Sequence, residues 1–187
     1  MDGHPIADRL QITTADDPVA RLASLFDTHH DRLYRLARRL VSSTDDALDL
    51  VQETFLRAAR SPLSVPADSA SAEEAWLVRI LVNIRRDQWR KHEVRNRHGR
   101  AAEDGMRTPQ GSQTPETALI AKTSIWQALD LLPPRRRAII VMHELEAMPV
   151  SAIASLLGIS AITVRWHLSA GRRELARALK PFLGDIQ

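Results

Sequence analysis

The stretch Pro149–Lys180, PVSAIASLLGISAITVRWHLSAGRRELARALK, constrains this chain more than any other. It reads as two helices separated by a three-residue break. From about Val150 to Leu157 the apolar Ile153, Ala154 and Leu157 recur on one face at helical spacing. Gly158 can adopt the left-handed conformation that ends a helix. Ser160 can cap the next helix, with Thr163 three residues on. In that second helix Val164, Leu168 and Leu175 fall on one side, and Arg165, Ser169, Arg172 and Arg173 largely on another. A short helix, a glycine turn and a longer basic helix form the pattern of a helix-turn-helix, whose second helix enters the major groove of DNA. An ordinary helical hairpin can end in glycine too, so the rest of the chain has to decide.

Composition narrows the alternatives. The 187 residues suffice for one or two small domains with a real core. The net charge is only +3, yet the pI of about 9.9 reflects arginine carrying the positive charge, which is compatible with a nucleic-acid partner. There is no cysteine, which excludes disulfides and thiolate metal sites. No apolar run approaches the roughly 20 residues of a membrane span. The N-terminus, MDGHPIADRLQITTADDP, lacks a basic region followed by an apolar one and is not a signal peptide. The expectation is a soluble cytoplasmic protein without membrane insertion.

Along the chain, residues 1–18 are polar and expected to be a mobile tail. From Val19 to Val41, Leu22, Leu25, Phe26, His29, Leu33, Leu36, Ala37 and Leu40 make an amphipathic helix. Ser43 with Asp46 three residues on resembles a capping box. The next helix runs to about Arg60, with Leu48, Val51, Phe55 and Ala58 as its buried stripe. Its Asp46, Asp49 and Glu53 share an exposed acidic face, with Gln52 alongside. Residues 61–72 (SPLSVPADSASA) read as a loop. A third helix is expected from Glu73 to about Arg97, burying Trp76, Leu77, Ile80, Leu81 and Ile84. Its Arg79, Asn83, Arg86 and Arg90 line one polar face.

That third helix segregates charge. Trp76 to Arg100 holds eight basic residues against two acids, whereas residues 1–60 hold eight arginines against ten acids. A solvated face is the ordinary explanation of such a run. Trp89 among the arginines points instead to stacking at a nucleic-acid groove. Residues 98–116 (HGRAAEDGMRTPQGSQTPE) lack a hydrophobic period and read as a flexible linker. Helix returns from about Pro115 to Leu132, burying Ile125, Leu129 and Leu132. Another segment, Arg135 to Glu146, leads into the opening motif. No strand candidate occurs. The expected fold is all-α: two small helical bundles joined by a flexible linker, the second containing the helix-turn-helix.

With these elements in place, the chain resembles an extracytoplasmic-function sigma factor, the smallest class of bacterial RNA polymerase specificity subunits. The strongest likeness is the run Asp46-Ala47-Leu48-Asp49-Leu50-Val51-Gln52-Glu53-Thr54-Phe55, which resembles the family's "DAEDLVQETF". The resemblance implies that Asp46, Asp49, Gln52 and Glu53 dock on core polymerase. Ala75-Trp76-Leu77 through Asn83, Asp87 and Arg90 resembles "WL..I..N...D..R". By that likeness Trp76, Arg79, Asn83, Arg86, Asp87 and Arg90 recognise the minus-ten element, with bases flipped into a pocket near the 61–75 loop. Leu132-Pro133, Arg137 and the helix-turn-helix resemble the minus-35 reader, through Arg165, Trp166, His167, Ser169, Arg172 and Arg173.

The departures sit in that last segment. Ile162-Thr163-Val164-Arg165-Trp166-His167-Leu168 replaces the usual glycine-threonine-valine-lysine-serine-arginine-leucine. Ala147 stands where glycine is usual and Ala152 where glutamate is. Gly171 inside a helix costs about 1 kcal/mol relative to alanine. Val164 and Leu168, which carry the framework, are kept. The likeness therefore implies the fold, and the minus-35 sequence stays open.

The domains expected are a tail (1–18), a region 2-like bundle (19–97), a linker (98–115) and a region 4-like bundle (116–183). The implied partners are core RNA polymerase, promoter DNA and an anti-sigma factor. No enzyme activity, cofactor or metal is expected. His29-His30-Asp31 and His143-Glu144 lack the i, i+4 spacing of a helical metal pair. His29 is expected against the core. The competing reading is a stand-alone helix-turn-helix regulator with an N-terminal sensing or dimerising domain. It accounts for residues 116–180 and leaves the Asp46–Phe55 run unexplained.

Overall fold

The structure, a computed structural model, describes residues 17–66, 68–99 and 117–183. The expectations for residues 1–16 and for the linker residues 100–116 lie outside them. The described residues form helices α1 (Pro18–Leu40), α2 (Thr44–Ala59), α3 (Ala70–Gly99), α4 (Thr117–Asp130), α5 (Pro134–Ile140), α6 (Val150–Leu157) and α7 (Ala161–Leu183). A 3-10 turn at Pro62–Ser64 follows α2, and a π-helical turn at Val141–Leu145 continues α5. Among the described residues there is no strand, so the all-α expectation holds.

Local chemistry sets the helix starts. Pro18 opens α1 with its φ already helical, and the Asp17 carboxylate accepts the Val19 amide at 2.9 Å. Ser43 caps α2 by accepting the Asp46 amide at 3.0 Å. The third helix begins at Ala70, three residues before the position expected from periodicity. Its first turn is polar and carries no hydrophobic signal, but the Ser69 hydroxyl accepts the Ala72 amide at 3.2 Å and starts the helix there. The same helix runs on through Gly99, two residues into the segment expected to be linker.

Two burial expectations are corrected. Leu48 is 48% exposed, because the α2 stripe Val51, Phe55 and Ala58 continues upstream through Ala47. Ile125 is also 48% exposed. α4 leans on α7, and the row that packs is Ser124 and Ala128, continued just past the helix by Leu132, with Leu129 beside it. His29 is buried as expected, its Nε2 lying 3.2 Å from Glu73.

The main departure from the sequence reading is the second buried face of α3. Leu77, Leu81 and Ile84 pack inward against α1 and α2 as expected. Val78 and Val82 are buried too, because α3 also packs on α5 and α6. One hydrophobic core therefore runs from Leu33 and Leu50 through Val82 to Ile139, Ile153 and Val164. The two bundles sit directly on one another. Polar contacts reinforce the seam. Arg137, 3% exposed, donates from Nε to the Arg39 carbonyl at 2.8 Å and pairs with Asp130. Ser42 donates to Asp130 at 2.8 Å.

Candidate nucleic-acid and partner surfaces

The helix-turn-helix forms as its residues dictate. α6 ends at Gly158, whose φ of 64° lies in the left-handed region. The Ile159 amide returns to the Ala154 carbonyl at 3.0 Å. The Ser160 hydroxyl accepts the Thr163 amide at 3.1 Å and starts α7. α6 and α7 meet at 109°, within the range of DNA-binding helix-turn-helix units. Ile153, Leu157, Val164 and Leu168 are buried and hold the two helices together.

The outward face of α7 carries Arg165, Trp166, Ser169, Arg172 and Arg173, all exposed. Trp166 is 56% exposed and is not left loose. The Arg136 guanidinium lies over its ring, 5.3 Å from the centroid, and the His167 ring meets it edge-on at 4.8 Å. Arg136 in turn pairs with Glu174. His167 is half-buried and turned toward α5, so it stands apart from the exposed set. Burial, then the charges of Arg136 and Arg135, push its imidazole below the ordinary 6.5, and it is neutral at pH 7. Arg172 donates to Glu144 at 2.7 and 2.9 Å. Sequence reading overlooked Arg136 and weighed Glu144 only as a metal ligand, not as a partner of Arg172. Only the packing of α5 on α7 brings Arg136 against Trp166.

On α2, Asp49, Gln52 and Glu53 line a cleft of about 390 Å³ against α3, together with Leu56, Asp87 and Lys91. Glu53 pairs with Arg57 at 3.1 Å. Asp46 is exposed in the first turn of α2 and does not line this cleft. Asp87, grouped by sequence with the arginines of α3, thus faces the acidic wall of α2. Beside this cleft lies an apolar groove between α1 and α2, about 550 Å³, lined by Val19, Phe26, Leu48 and Leu56 among others.

The remaining α3 set is spread differently from expectation. Only Arg90 is exposed; Trp76, Arg79, Asn83, Arg86 and Asp87 are half-buried. Trp76 packs against the core. Arg86 reaches Asp87 at 3.5 Å. Arg79 lies against the turn of the helix-turn-helix: a Cβ added at Gly158 would come within 3.5 Å of its Nη1.

Comparison with known proteins decides what these surfaces belong to. Residues 25–95 match the family model for sigma-70 region 2, and residues 122–175 that for sigma-70 region 4. The ECF RNA polymerase sigma factor SigL of Mycobacterium tuberculosis is 34% identical over 162 residues, 86% of this chain and 90% of SigL. The chain belongs to the ECF RNA polymerase sigma factors. SigE of Mycolicibacterium smegmatis is 37% identical over 150 residues, 79% of this chain but 57% of the length of SigE. Among solved structures, CnrH in complex with the cytosolic domain of CnrY has a TM-score of 0.57 at 23% identity, covering 90% of this chain and 92% of that one. The sigma factor RpoE of Bartonella quintana, in complex with the anti-sigma factor NepR, has a TM-score of 0.56 at 24% identity, covering 86% and 94%. These two likenesses concern the fold.

Membership settles the class of function. This ECF sigma factor directs promoter-specific initiation by RNA polymerase, and the stand-alone regulator is not favoured. No single helix among the described residues is long and apolar enough to cross a membrane.

Proposed function

We propose that this sigma factor divides its work between residues 19–97 and 116–183. The first part docks on core polymerase through the acidic wall of α2, with Asp49, Gln52 and Glu53 at the cleft and Asp46 at its N-terminal edge. It reads the minus-ten element through Trp76, Arg79, Asn83, Arg86, Asp87 and Arg90 on α3. The second part reads the minus-35 duplex through Arg165, Trp166, Ser169, Arg172 and Arg173, with His167 held behind Trp166. The observation that carries this reading is α7 itself: a Ser160-capped helix crossing its partner at 109° and presenting an exposed arginine and tryptophan face.

Physical chemistry assigns the roles. Arginine to phosphate contacts fix register and weaken as salt rises. Trp166 offers an apolar, polarisable face, suited to a thymine methyl or the sugar edge. The polymerase does the chemistry, and this chain supplies no catalytic group, cofactor or metal of its own. It works in the cytoplasm, and an anti-sigma factor, as NepR is for the Bartonella quintana relative, holds it inactive.

Run-off transcription with core polymerase over a promoter library tests the whole reading. Promoter-dependent transcripts with a minus-35 preference are expected. Replacing Arg165 and Arg172 by alanine should remove most of that preference. If minus-35 changes matter as much to the variant as to the wild type, the assignment of α7 is wrong.

A further inference from the structure

The tryptophan on the outward face of α7 is held by a group that lies outside that face. Arg136 belongs to α5, and its side chain is 13% exposed. Its guanidinium carbon lies 5.3 Å from the centroid of the Trp166 ring. Nη1 of the same guanidinium pairs with Glu174, about two turns further along α7. Its Nε is buried and has no hydrogen-bond partner among the described residues. The cation is committed to a ring face on one side and a carboxylate on the other, which leaves little of it for a phosphate.

Two neighbours on α7 complete the arrangement. A Cβ at Gly171 would come within 3.2 Å of Arg136 Cγ, so the arginine stem crosses α7 where the helix carries no side chain. His167 meets the Trp166 ring edge-on, with planes at 72°. Burial, then the charges of Arg136 and Arg135, keep that imidazole neutral at pH 7, and it sets no second charge beside the guanidinium. An indole on a bare helix surface would exchange among rotamers. With a guanidinium over its face and a ring at its edge, Trp166 has a defined pose while staying 56% exposed. A cation over an exposed ring favours such a pose by about two- to fivefold. A side chain fixed before it meets DNA has less freedom to lose on binding.

We propose that Arg136 is a positioning residue for sequence reading: it fixes the Trp166 indole in the pose that meets base edges in the minus-35 duplex, without touching DNA itself. The inference rests on the assignment of α7 to that duplex, and it adds α5 to the parts that set the sequence preference. The two roles open to an arginine here have different signatures. A phosphate contact strengthens binding to every sequence alike and steepens its salt dependence. A positioning contact acts only through Trp166, so its loss flattens the preference at the base pairs the indole meets and nowhere else.

The test uses holoenzyme reconstituted from the full chain and core polymerase, binding promoters that carry each base in turn across the minus-35 element. W166A defines the positions that the tryptophan reads, by the preferences it flattens. R136M keeps an unbranched stem beside Gly171 and removes the guanidinium; R136Q takes its place if helical content falls. The arginine variant is expected to flatten those same positions by about threefold, with the other positions and the salt slope unchanged. In W166A/R136M the arginine change is expected to add nothing to the loss in W166A. Wild-type preferences in the arginine variant overturn the proposal. So does a uniform loss with a shallower salt slope, and so does an undiminished effect of R136M in the W166A background. If W166A itself keeps every wild-type preference, the assignment of Trp166 to the bases has failed, and the proposal falls with the reading beneath it.

Discussion

Ala147 takes a φ of 52°, the left-handed region in which a side chain is strained, at the turn between the π-helical segment and α6. Ala147→Gly should raise stability by about 1 kcal/mol, seen as a rise of a few degrees in thermal midpoint. Gly171 makes the opposite case. Propensity alone says alanine should improve α7 there. A Cβ at that position would meet Ile140 Cγ1 at 2.8 Å, because α5 crosses α7 at close range. Gly171→Ala should therefore cost about 1–3 kcal/mol in chemical denaturation. A gain would mean that α5 and α7 are further apart than they stand here. His167 gives a pH signature. Its folded value lies below the ordinary 6.5, so in acid the unfolded chain binds the extra proton and stability falls as pH drops below about 6.5. His167→Gln should flatten that loss relative to wild type, as measured by thermal midpoints between about pH 7.5 and 5.5.

At the scale of elements, α2 and α3 show how much of a surface periodicity can reveal. The exposure of Asp46, Asp49 and Gln52 was legible, since all three lie off the apolar row by which α2 packs into the core. Reversing Asp49 and Glu53 to lysine should weaken binding to core polymerase at least about tenfold, as like charges replace opposite ones. The helical signal in circular dichroism should stay intact. Unchanged affinity would remove α2 from the docking surface. α3 was legible only in part. Its inward face followed from Leu77, Leu81 and Ile84, but Val78 and Val82 lie among Arg79, Asn83 and Arg86, and that side read as solvent-facing. A helix sandwiched between two bundles has two apolar faces and little amphipathic contrast, so periodicity recognises one and misses the other. Leu48 and Ile125 fail for the converse reason. Each is an apolar residue one position off the row that actually packs.

For the molecule as a whole, the single core from Leu33 to Val164 implies that the two bundles support one another. Tryptophan fluorescence, which reports Trp76 and Trp89 on one side of the seam and Trp126 and Trp166 on the other, should change together with circular dichroism in one unfolding transition. Separate transitions would show that the seam adds little. Arg137→Ala removes a buried cation that pairs with Asp130 and bonds the Arg39 carbonyl, and should cost about 3 kcal/mol. The helix types, the capping serines at 43 and 160, the glycine turn and the class of function were all determined by the sequence alone. They depend on local spacing, capping chemistry and short motifs that a linear reading contains. The Arg136–Trp166 stack, the company Asp87 keeps with α2 and the close approach at Gly171 were decided only by tertiary structure. Each joins residues far apart in the chain, and nothing in the spacing of either partner records the other.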